Sequence, residues 1–298
     1  MPELPDITLY IEALRERILG RRLERSRVLS LFLLRSVEPS IDAVTGATVV
    51  AFERLGKRIA IGFDNDIWLV LHLMIAGRLQ WRADRPASFT RQTALALLFE
   101  NGTLVLTEAG TKKRASLYVV RGRAGLAAHQ PGGVELERLR AAEFEAVLKS
   151  HNHTLKRALT DPRLLSGIGN AYSDEILHRA RLSPVTLTSR LTSEEYARLF
   201  AASRAVLAEW LERLRVKARG EFPSKVTAFH AEMAVHGRYG LPCPVCGTKV
   251  QRIRYADNET NYCPRCQTNG RLLADRSLSR LLKKDWPKSI DELEQLRS

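Results

Sequence analysis

The chain has 298 residues, of which 45% are hydrophobic and 27% are charged. This composition excludes a largely disordered chain, and the length suffices for two domains of roughly 100–150 residues. Lys and Arg number 47 against 33 Asp and Glu, a formal charge of +14, which predicts a polyanionic partner, either nucleic acid or an anionic membrane surface. Residues 1–150 contribute 22 − 17 = +5 and residues 151–298 contribute 25 − 16 = +9. We therefore expect a basic surface that extends over both halves.

The sequence contains no apolar run that approaches the roughly 20 residues of a membrane-spanning helix. Residues 67–75 form the longest candidate, and His72 interrupts it. The first residues include two acids and lack the apolar core of a secretory signal. We therefore expect a protein of the cytoplasm, associated with the nucleoid, whose polyanionic partner is nucleic acid and not a membrane.

The predicted elements begin with a helix over residues 5–19, where apolar residues recur at helical spacing before Gly20. From residue 26 to about 121, short β-branched runs alternate with turn residues, which predicts a β-sandwich or barrel. The runs cover residues 48–52, 59–63, 67–73, 94–99 and 103–106. Residues 122–133 hold four glycines and one proline and are predicted to be a linker.

Helical spacing returns from residue 136 to about 216, followed by a cysteine-bearing segment and an amphipathic tail from residue 274. The tail has an apolar stripe, which we expect to pack on a core more than to bind a partner; it consists of Leu278, Leu281, Leu282 and Trp286. The predicted domains are a β-sandwich (1–121), a linker (122–133), a helical domain (134–235), a small zinc module (236–270) and a C-terminal helical extension (271–298).

All four cysteines fall into two CxxC pairs with sixteen residues between them, Cys243-Pro-Val-Cys246 and Cys263-Pro-Arg-Cys266. Such pairs offer four thiolates in a tetrahedron, which predicts one structural Zn²⁺ ion with no position open for catalysis. Two disulfides or four unrelated thiols are the alternative. Between the pairs, residues 250–255 and 260–262 are predicted to form a hairpin around Asp257-Asn258. Its arginines are expected to face phosphates; they are Arg252, Arg254 and Arg265.

The segment Ser166-Gly-Ile-Gly-Asn170 separates two helical stretches. Backbone N–H groups at a glycine-rich turn that leads into a helix form an anion site. Lys156 lies in the preceding helical segment and is expected to reach the same phosphate. A plain helix–helix turn is the alternative for so short a motif.

Four segments, in this order, carry a resemblance to a known family: Pro2-Glu3-Leu4-Pro5, Leu55-Gly56-Lys57, Gly167-Ile168-Gly169-Asn170 and Tyr262-Cys263-Pro264-Arg265-Cys266-Gln267. The chain resembles the formamidopyrimidine-DNA glycosylase / endonuclease VIII family of base-excision repair enzymes over about residues 2–270. The resemblance implies an α+β multidomain fold: an N-terminal β-sandwich with an N-terminal helix, a helical helix-two-turn-helix domain and a C-terminal β-hairpin zinc finger. It also implies damaged double-stranded DNA as the partner, Asn170 among the DNA-binding residues, and a monomer.

The resemblance further implies that Pro2 becomes the terminal residue after removal of Met1 and attacks C1′ of the damaged nucleotide. An α-amino group has an ordinary pKa of about 7.7–8.0, so roughly a tenth or more is unprotonated at neutral pH, far more than for lysine. A secondary amine also forms an iminium with an opened sugar. Glu3 is implied to protonate the deoxyribose, and Lys57 to contact phosphate and assist β-elimination. A chance Met-Pro start and an exposed strand-end lysine are the alternatives.

The chain departs from the family at three places. Asn258 stands where relatives usually carry an arginine assigned to δ-elimination, and Arg252 or Arg254 is expected to compensate from the facing strand. Ile75 takes the place of a methionine that fills the space of the flipped base, while Met74 is expected to point to the other face of the strand. The loop 107–114 lacks an aromatic-plus-arginine wedge. Its Lys112, Lys113 and Arg114 form either a solvated face or a DNA contact, and we expect Lys112 and Arg114 to contact DNA.

These observations predict a DNA glycosylase with AP lyase activity that removes oxidised or ring-opened bases from duplex DNA. The reaction is expected to pass through a Schiff base on Pro2, followed by β-elimination, with a lesion preference unlike the usual one. Two alternatives stay open: an AP lyase with little base excision, and a damaged-DNA-binding protein of the same fold. The altered loop favours the binding protein, whereas the intact Pro2-Glu3 pair argues against it.

Overall fold

The computed structural model describes residues 1–86, 88–224, 226–255, 258–275, 281 and 286–295. Contacts divide the chain into two compact units. Unit 1 comprises residues 1–132 and 209–228, and unit 2 comprises residues 133–208 and 229–298. No helix within the described residues has both the length and the apolar character to cross a membrane.

Unit 1 consists of an N-terminal helix and two four-stranded antiparallel sheets. Its elements are α1 (Leu4–Ile18), β1 (Leu23–Val28), β2 (Val49–Leu55), β3 (Arg58–Phe63), β4 (Ile67–His72), β5 (Gly77–Arg82), β6 (Thr93–Phe99), β7 (Gly102–Glu108) and β8 (Ser116–Arg121). One sheet has the order β1-β6-β7-β5 and the other β2-β3-β4-β8. The predicted sandwich with its N-terminal helix is confirmed. Sequence patterning missed β1, β5 and β8, because all three mix buried with more exposed residues and lack a continuous apolar run.

The core of unit 1 lies where α1 and both sheets meet. Tyr10 and Leu14 of α1, Ile61 of β3 and Leu97 of β6 are fully buried members of one apolar cluster. The sheet of β2, β3, β4 and β8 is also covered on its other face, where Leu126 belongs to a second cluster. Burial on both faces explains the long apolar runs of β3 and β4.

The stretch 122–133 differs from a plain linker. It begins with the short helix α2 (Gly122–Ala127), which packs on β4 and β8. Gly122 takes φ +69, a conformation that favours glycine, where the chain leaves β8. The predicted domain boundaries remain predictions; the contact division differs from them in assigning residues 209–228 to unit 1.

Unit 2 is helical and ends in a small hairpin. Its helices are α3 (Ala141–Lys149), α4 (Leu155–Thr160), α5 (Asn170–Arg179) and the first part of α6 (Ser193–Ala218). The hairpin of β9 (Gln251–Tyr255) and β10 (Asn258–Tyr262) precedes α7 (Pro264–Thr268) and α8 (Ile290–Gln295). Two residues of the predicted tail stripe, Leu278 and Leu282, lie outside the described residues. Leu281 is 78% exposed, so the expectation that it packs in a core is wrong.

Candidate active site and zinc centre

The N-terminal residues are packed into unit 1. Pro2 and Glu3 are buried, and Glu3 is only 2% exposed. Helix α1 begins at Leu4, with Pro5 in the first turn, where a missing N–H costs no hydrogen bond. The Asp6 carboxylate accepts a hydrogen bond from the Glu3 N–H at 2.8 Å. The helix start therefore holds Glu3 in place beside the terminus.

The terminal amine lies among several charges. Burial lowers its pKa; Arg78 and Lys57 lower it further, whereas Glu3 and Asp6 oppose the shift. These interactions place Glu3 and Lys57, two of the predicted catalytic residues, within electrostatic range of the amine. The amine here belongs to Met1, and the third predicted residue, Pro2, is its immediate neighbour.

Lys57 owes its position to a tight hairpin. Leu55 of β2 pairs with Arg58 of β3, so the connection contains only Gly56 and Lys57. Gly56 has φ +62, which is typical of the first central residue of a type II′ turn. The glycine therefore lets the two strands join directly and sets Lys57 at the tip.

Three further polar residues of this region were not predicted. Arg78 donates hydrogen bonds from Nη1 to the carbonyls of Ile75 (2.9 Å) and Gly77 (2.7 Å). Burial, with the charges of Arg58 and Lys57, lowers the pKa of His72 to about 4, so this ring is neutral at pH 7. Only their polar character at strand ends in an apolar stretch could have drawn attention to Arg78 and His72.

Asp6 is the third. Burial raises its pKa to about 7, opposed by the hydrogen bond from the Glu3 backbone. Its Oδ1 is buried and has no hydrogen-bond partner among the described residues, although Oδ2 is bonded. A half-satisfied carboxyl in an apolar setting favours the neutral form. Asp6 therefore titrates close to neutrality beside the terminal amine.

Ile75 lies in the turn that carries the chain from β4 in one sheet to β5 in the other. The Gly77 N–H donates to the Leu73 carbonyl at 2.9 Å, and Met74 has φ +53. Residues 74–76 therefore form a turn, and the expectation that Met74 lies in a strand pointing away from Ile75 is wrong. Ile75 is 57% exposed, whereas Met74 is half-buried. Of the two apolar side chains, Ile75 is therefore the more exposed.

The loop after β7 is folded around Glu108. The Glu108 carboxylate accepts hydrogen bonds from the backbone N–H groups of Arg114 (2.8 Å) and Ala115 (3.0 Å). The Lys113 ammonium donates to the Glu108 carbonyl at 2.5 Å. Lys112 and Arg114 are at least partly exposed. The two loop cations that are predicted to contact DNA, Lys112 and Arg114, therefore lie at the surface.

In unit 2, the structure corrects the expectation for Lys156. Its side chain is buried, and Nζ lies 2.5 Å from Asp174 Oδ1 and 2.6 Å from the Asn170 carbonyl. A buried ammonium with two such partners is arranged as an interior ion pair, which argues against the expected phosphate contact. The sequence could not show this, because nothing in it pairs Lys156 with a carboxylate eighteen positions further on.

Asp174 is the centre of a buried network that joins α5 to the hairpin. Besides Lys156, it receives hydrogen bonds from His236 Nδ1 at 2.8 Å and from the Asn261 backbone N–H at 3.2 Å. Asn170 begins α5 and donates from Nδ2 to the Glu259 carbonyl of β10 at 2.9 Å. The Gly-Ile-Gly-Asn turn is thereby fixed to the hairpin, with Asn170 half-buried.

The four cysteines come together as the sequence predicts. Their sulfur atoms lie within 4.8 Å of one another, with 3.9 Å between Cys243 and Cys266 and 3.4 Å between Cys246 and Cys263. Four Zn–S bonds of about 2.3 Å in a tetrahedron place sulfur atoms about 3.8 Å apart. All four cysteines are free, which rules out the alternative of two disulfides. The cluster is thus suited to a structural zinc.

His178 of α5 is a neighbour of this cluster that was not predicted. Its Nε2 lies 3.2 Å from Cys243 Sγ, and both residues are buried. With a proton on Nε2, the ring donates an N–H···S hydrogen bond to a zinc ligand, the kind of outer-shell contact that orients metal-binding side chains. The helical domain therefore contributes a side chain to the surroundings of the cysteine cluster.

The hairpin arginines are less available than expected. Arg252 lies over the Tyr239 ring at 4.2 Å and 3.5 Å from Glu259, and Arg254 is 3.9 Å from the same carboxylate. Asn258 pairs with Tyr255, one register position away from the Arg254–Glu259 pair. Successive residues of a strand face opposite sides. Arg252 and Arg254 therefore project from the face opposite to Asn258, which argues against either of them replacing an arginine at position 258.

Known protein families match three successive parts of the chain. The sequence matches the formamidopyrimidine-DNA glycosylase N-terminal domain over residues 1–113, the formamidopyrimidine-DNA glycosylase H2TH domain over 132–219, and a zinc finger found in FPG and IleRS over 240–269. It is 32% identical to the formamidopyrimidine-DNA glycosylase of Pelotomaculum thermopropionicum, over 90% of this chain and 99% of that protein. The chain belongs to the formamidopyrimidine-DNA glycosylase family. The predicted family is confirmed.

Solved structures of formamidopyrimidine-DNA glycosylases share the fold. The MutM (Fpg) protein of Thermus thermophilus is 33% identical and superimposes with a TM-score of 0.75, over 89% of this chain and 98% of that one. The Fpg of Lactococcus lactis, crystallised with DNA containing an abasic site, has a TM-score of 0.79 at 23% identity, over 89% and 99% of the two chains, and shows the fold alone. About a tenth of this chain therefore has no counterpart in these relatives.

Proposed function

We propose that the protein is a base-excision-repair DNA glycosylase with AP lyase activity that removes oxidised or ring-opened bases from duplex DNA. The observation that carries this proposal is the chain terminus, where Pro2 is buried and the adjoining, half-buried Met1 amine has Glu3, Lys57 and Arg78 within electrostatic range. A lowered amine pKa increases the unprotonated fraction at neutral pH, and the unprotonated amine is the nucleophile.

The residues of unit 1 supply each group that the reaction needs. After removal of Met1, the Pro2 nitrogen forms a bond to C1′ while the bond from C1′ to the base breaks. Glu3 transfers a proton to the sugar ring oxygen, the ring opens, and an iminium joins Pro2 to C1′. A C2′ proton then passes to water, a double bond forms between C2′ and C3′, and the 3′ phosphate leaves by β-elimination. Lys57, at the tip of its hairpin, is placed to contact the phosphate.

Damaged double-stranded DNA is the proposed partner, bound by one protein chain in the cytoplasm. Structural neighbours from Lactococcus lactis were solved with DNA that contains an abasic site, Fapy-dG or an oxidised pyrimidine, which supports this choice. The proposed contacts are Ile75, Lys112, Arg114, Asn170, Arg252 and Arg254. We propose one zinc ion per chain, held by Cys243, Cys246, Cys263 and Cys266; its role is to fix the hairpin that carries the two arginines.

The proposal is tested by borohydride trapping on duplexes that contain an abasic site, 8-oxoguanine, formamidopyrimidine or thymine glycol. We expect a covalent adduct on the abasic duplex and on at least one base lesion. The matched control is the same protein with an uncleaved N-terminal tag, which turns the Pro2 nitrogen into an amide and should abolish the adduct. An adduct on the abasic duplex alone indicates an AP lyase, and no adduct at all indicates a binding protein.

A further inference from the structure

Unit 2 contains a cavity of about 940 Å³ that includes none of the residues given a role above. Three segments form its wall: residues 183–190 between α5 and α6, residues 268–274 after α7, and residues 286–288. This volume lies within the range of about 300–1,000 Å³ typical of ligand sites. The family zinc-finger match ends at residue 269. Part of the wall therefore lies outside the residues that the zinc-finger family matches.

The cavity is cationic. Arg190, Arg271 and Lys288 line it from the three segments, and all three are exposed. The described part of its lining includes no Asp or Glu, and none of these cations forms an ion pair with a carboxylate of the described residues. Cations that no protein carboxylate neutralises favour an anionic ligand.

The wall also presents one aromatic side chain, Trp286, which is half-buried. Backbone hydrogen bonds fix this part of the chain: Leu272 N–H donates to the Lys288 carbonyl and Ile290 N–H to the Gly270 carbonyl, each at 2.9 Å. Leu272 itself is 7% exposed and lines the cavity. The segments that carry Arg271 and Lys288 are thus joined by backbone hydrogen bonds.

We propose that this cavity binds single-stranded DNA, with an unstacked base on Trp286 and the neighbouring phosphates against Arg190, Arg271 and Lys288. Each nucleotide brings one phosphate and one aromatic face, and sites for single strands combine cations with an aromatic platform in the same way. An acidic peptide matches the charge but supplies no ring for Trp286. In choosing DNA as the polyanion, the inference rests on the proposed function.

The test measures binding of a fluorescein-labelled oligothymidylate to the full chain by fluorescence anisotropy at several salt concentrations. Replacing the aromatic platform by Trp286→Leu should weaken binding about five- to a hundred-fold. Arg190→Gln should lower the slope of log affinity against log salt by about 0.7, the loss of one phosphate contact on a single strand. The matched control is Arg204→Gln, an exposed arginine of α6 outside the cavity, which should change neither quantity. Affinity unchanged by both cavity variants overturns the proposal.

Two further arms separate the possible failures. Trp286→Phe keeps an aromatic face and should retain most of the binding, so its equal loss in a folded protein contradicts stacking. Tighter binding of a fluorescein-labelled oligoglutamate, lost in the same variants, assigns the cavity to an acidic peptide and overturns the assignment to DNA. Because the oligothymidylate is undamaged, the measurement can be made on protein with the blocked N-terminus. Its outcome is then independent of whether the protein excises bases.

Discussion

At the scale of single residues, the terminal amine and Asp6 form a pair of groups with opposite shifts. Burial lowers the pKa of the amine and raises that of Asp6 to about 7, because an apolar environment disfavours the charged form of each. Arg78 and Lys57 add a cationic field that also disfavours a charged amine. Burial and repulsion therefore both disfavour the charged form of the terminal amine, and in the proposed mechanism this favours the nucleophilic form.

The raised pKa of Asp6 leads to a prediction about stability and pH. The unfolded residue has a pKa near 3.9, so the native state binds the proton more tightly. The stability that this group contributes is complete below about pH 4 and is lost as the pH rises through about 7. Asp6→Asn keeps an acceptor for the Glu3 N–H but stays neutral. We expect the free energy of unfolding of Asp6→Asn, relative to that of the wild type, to rise by up to about 4 kcal/mol between pH 4 and 8.

Urea unfolding at a series of pH values checks this expectation. The groups that act on Asp6 are Glu3, the terminal amine and Arg78, and all three are kept in the variant. Asp84→Asn, at an exposed position, serves as the control and should follow the wild-type curve. Parallel curves for Asp6→Asn and the wild type would show that Asp6 is ionised in the native protein throughout this range.

His178 gives a second prediction at this scale. Its Nε2 lies 3.2 Å from Cys243 Sγ, and loss of an outer-shell hydrogen bond typically costs 10–100-fold in metal affinity. His178→Phe should therefore release zinc to a colorimetric chelator at least about tenfold faster than the wild type. His151→Phe removes an exposed histidine of the same unit and should not change the rate. Equal rates for all three proteins would show that the His178 ring only fills space.

At the scale of elements, the β9–β10 hairpin leads to a prediction about δ-elimination after the proposed β-elimination. Asn258 is exposed and faces away from Arg252 and Arg254 by strand alternation. Asn258→Arg should therefore add a cationic donor on a face that lacks one, and increase the ratio of δ- to β-elimination products on an abasic duplex. Asn258→Gln is the uncharged control. Because both existing arginines lie near Glu259, Arg254→Gln should leave the ratio unchanged, and a loss of δ product in it would contradict this interpretation.

The turn between β4 and β5 provides a prediction about base eversion. Ile75 is exposed, so its truncation should not affect folding, and its proposed role with DNA is to occupy the space of the flipped base. Ile75→Ala should lower the single-turnover rate of excision from a lesion duplex by roughly tenfold or more. Val50→Ala is the matched control, since Val50 in the same unit is 53% exposed against 57% for Ile75. An equal effect of the two substitutions would argue against a wedge at Ile75.

The elements also show how much of the fold can be predicted from the sequence. Helix α1, five strands and the cysteine hairpin follow from apolar periodicity and from the CxxC spacing, which are local properties. The turn at residues 74–76 escapes prediction, because a left-handed residue at Met74 ends the strand without any glycine or proline there. The role of Lys156 escapes it because that role depends on Asp174, which only folding brings near. A sequence does not distinguish charged residues that form ion pairs in the folded protein from charged residues that remain available to a ligand.

At the scale of the whole molecule, only some of the cations behind the net charge of +14 are available to a ligand. Part of it is taken up by internal pairs: Lys156 binds Asp174, Arg215 binds Glu12 and Arg265 binds Asp291. Surface cations such as Lys112 and Arg114 keep their charge for a ligand. The net charge therefore predicts the class of partner, and the individual contacts decide which residues meet it.

This distinction can be measured through the salt dependence of duplex binding. The logarithm of the affinity falls with the logarithm of salt concentration, with a slope of about −0.9 per phosphate contact. Lys112→Gln with Arg114→Gln should reduce the size of the slope by about 2. Lys113→Gln is the matched control in the same loop: its ammonium already donates to the Glu108 carbonyl, so the slope should stay unchanged. A slope unaffected by the double substitution would make this loop a solvated surface, whereas an equal change in the control would mean that the position of the charge within the loop does not matter.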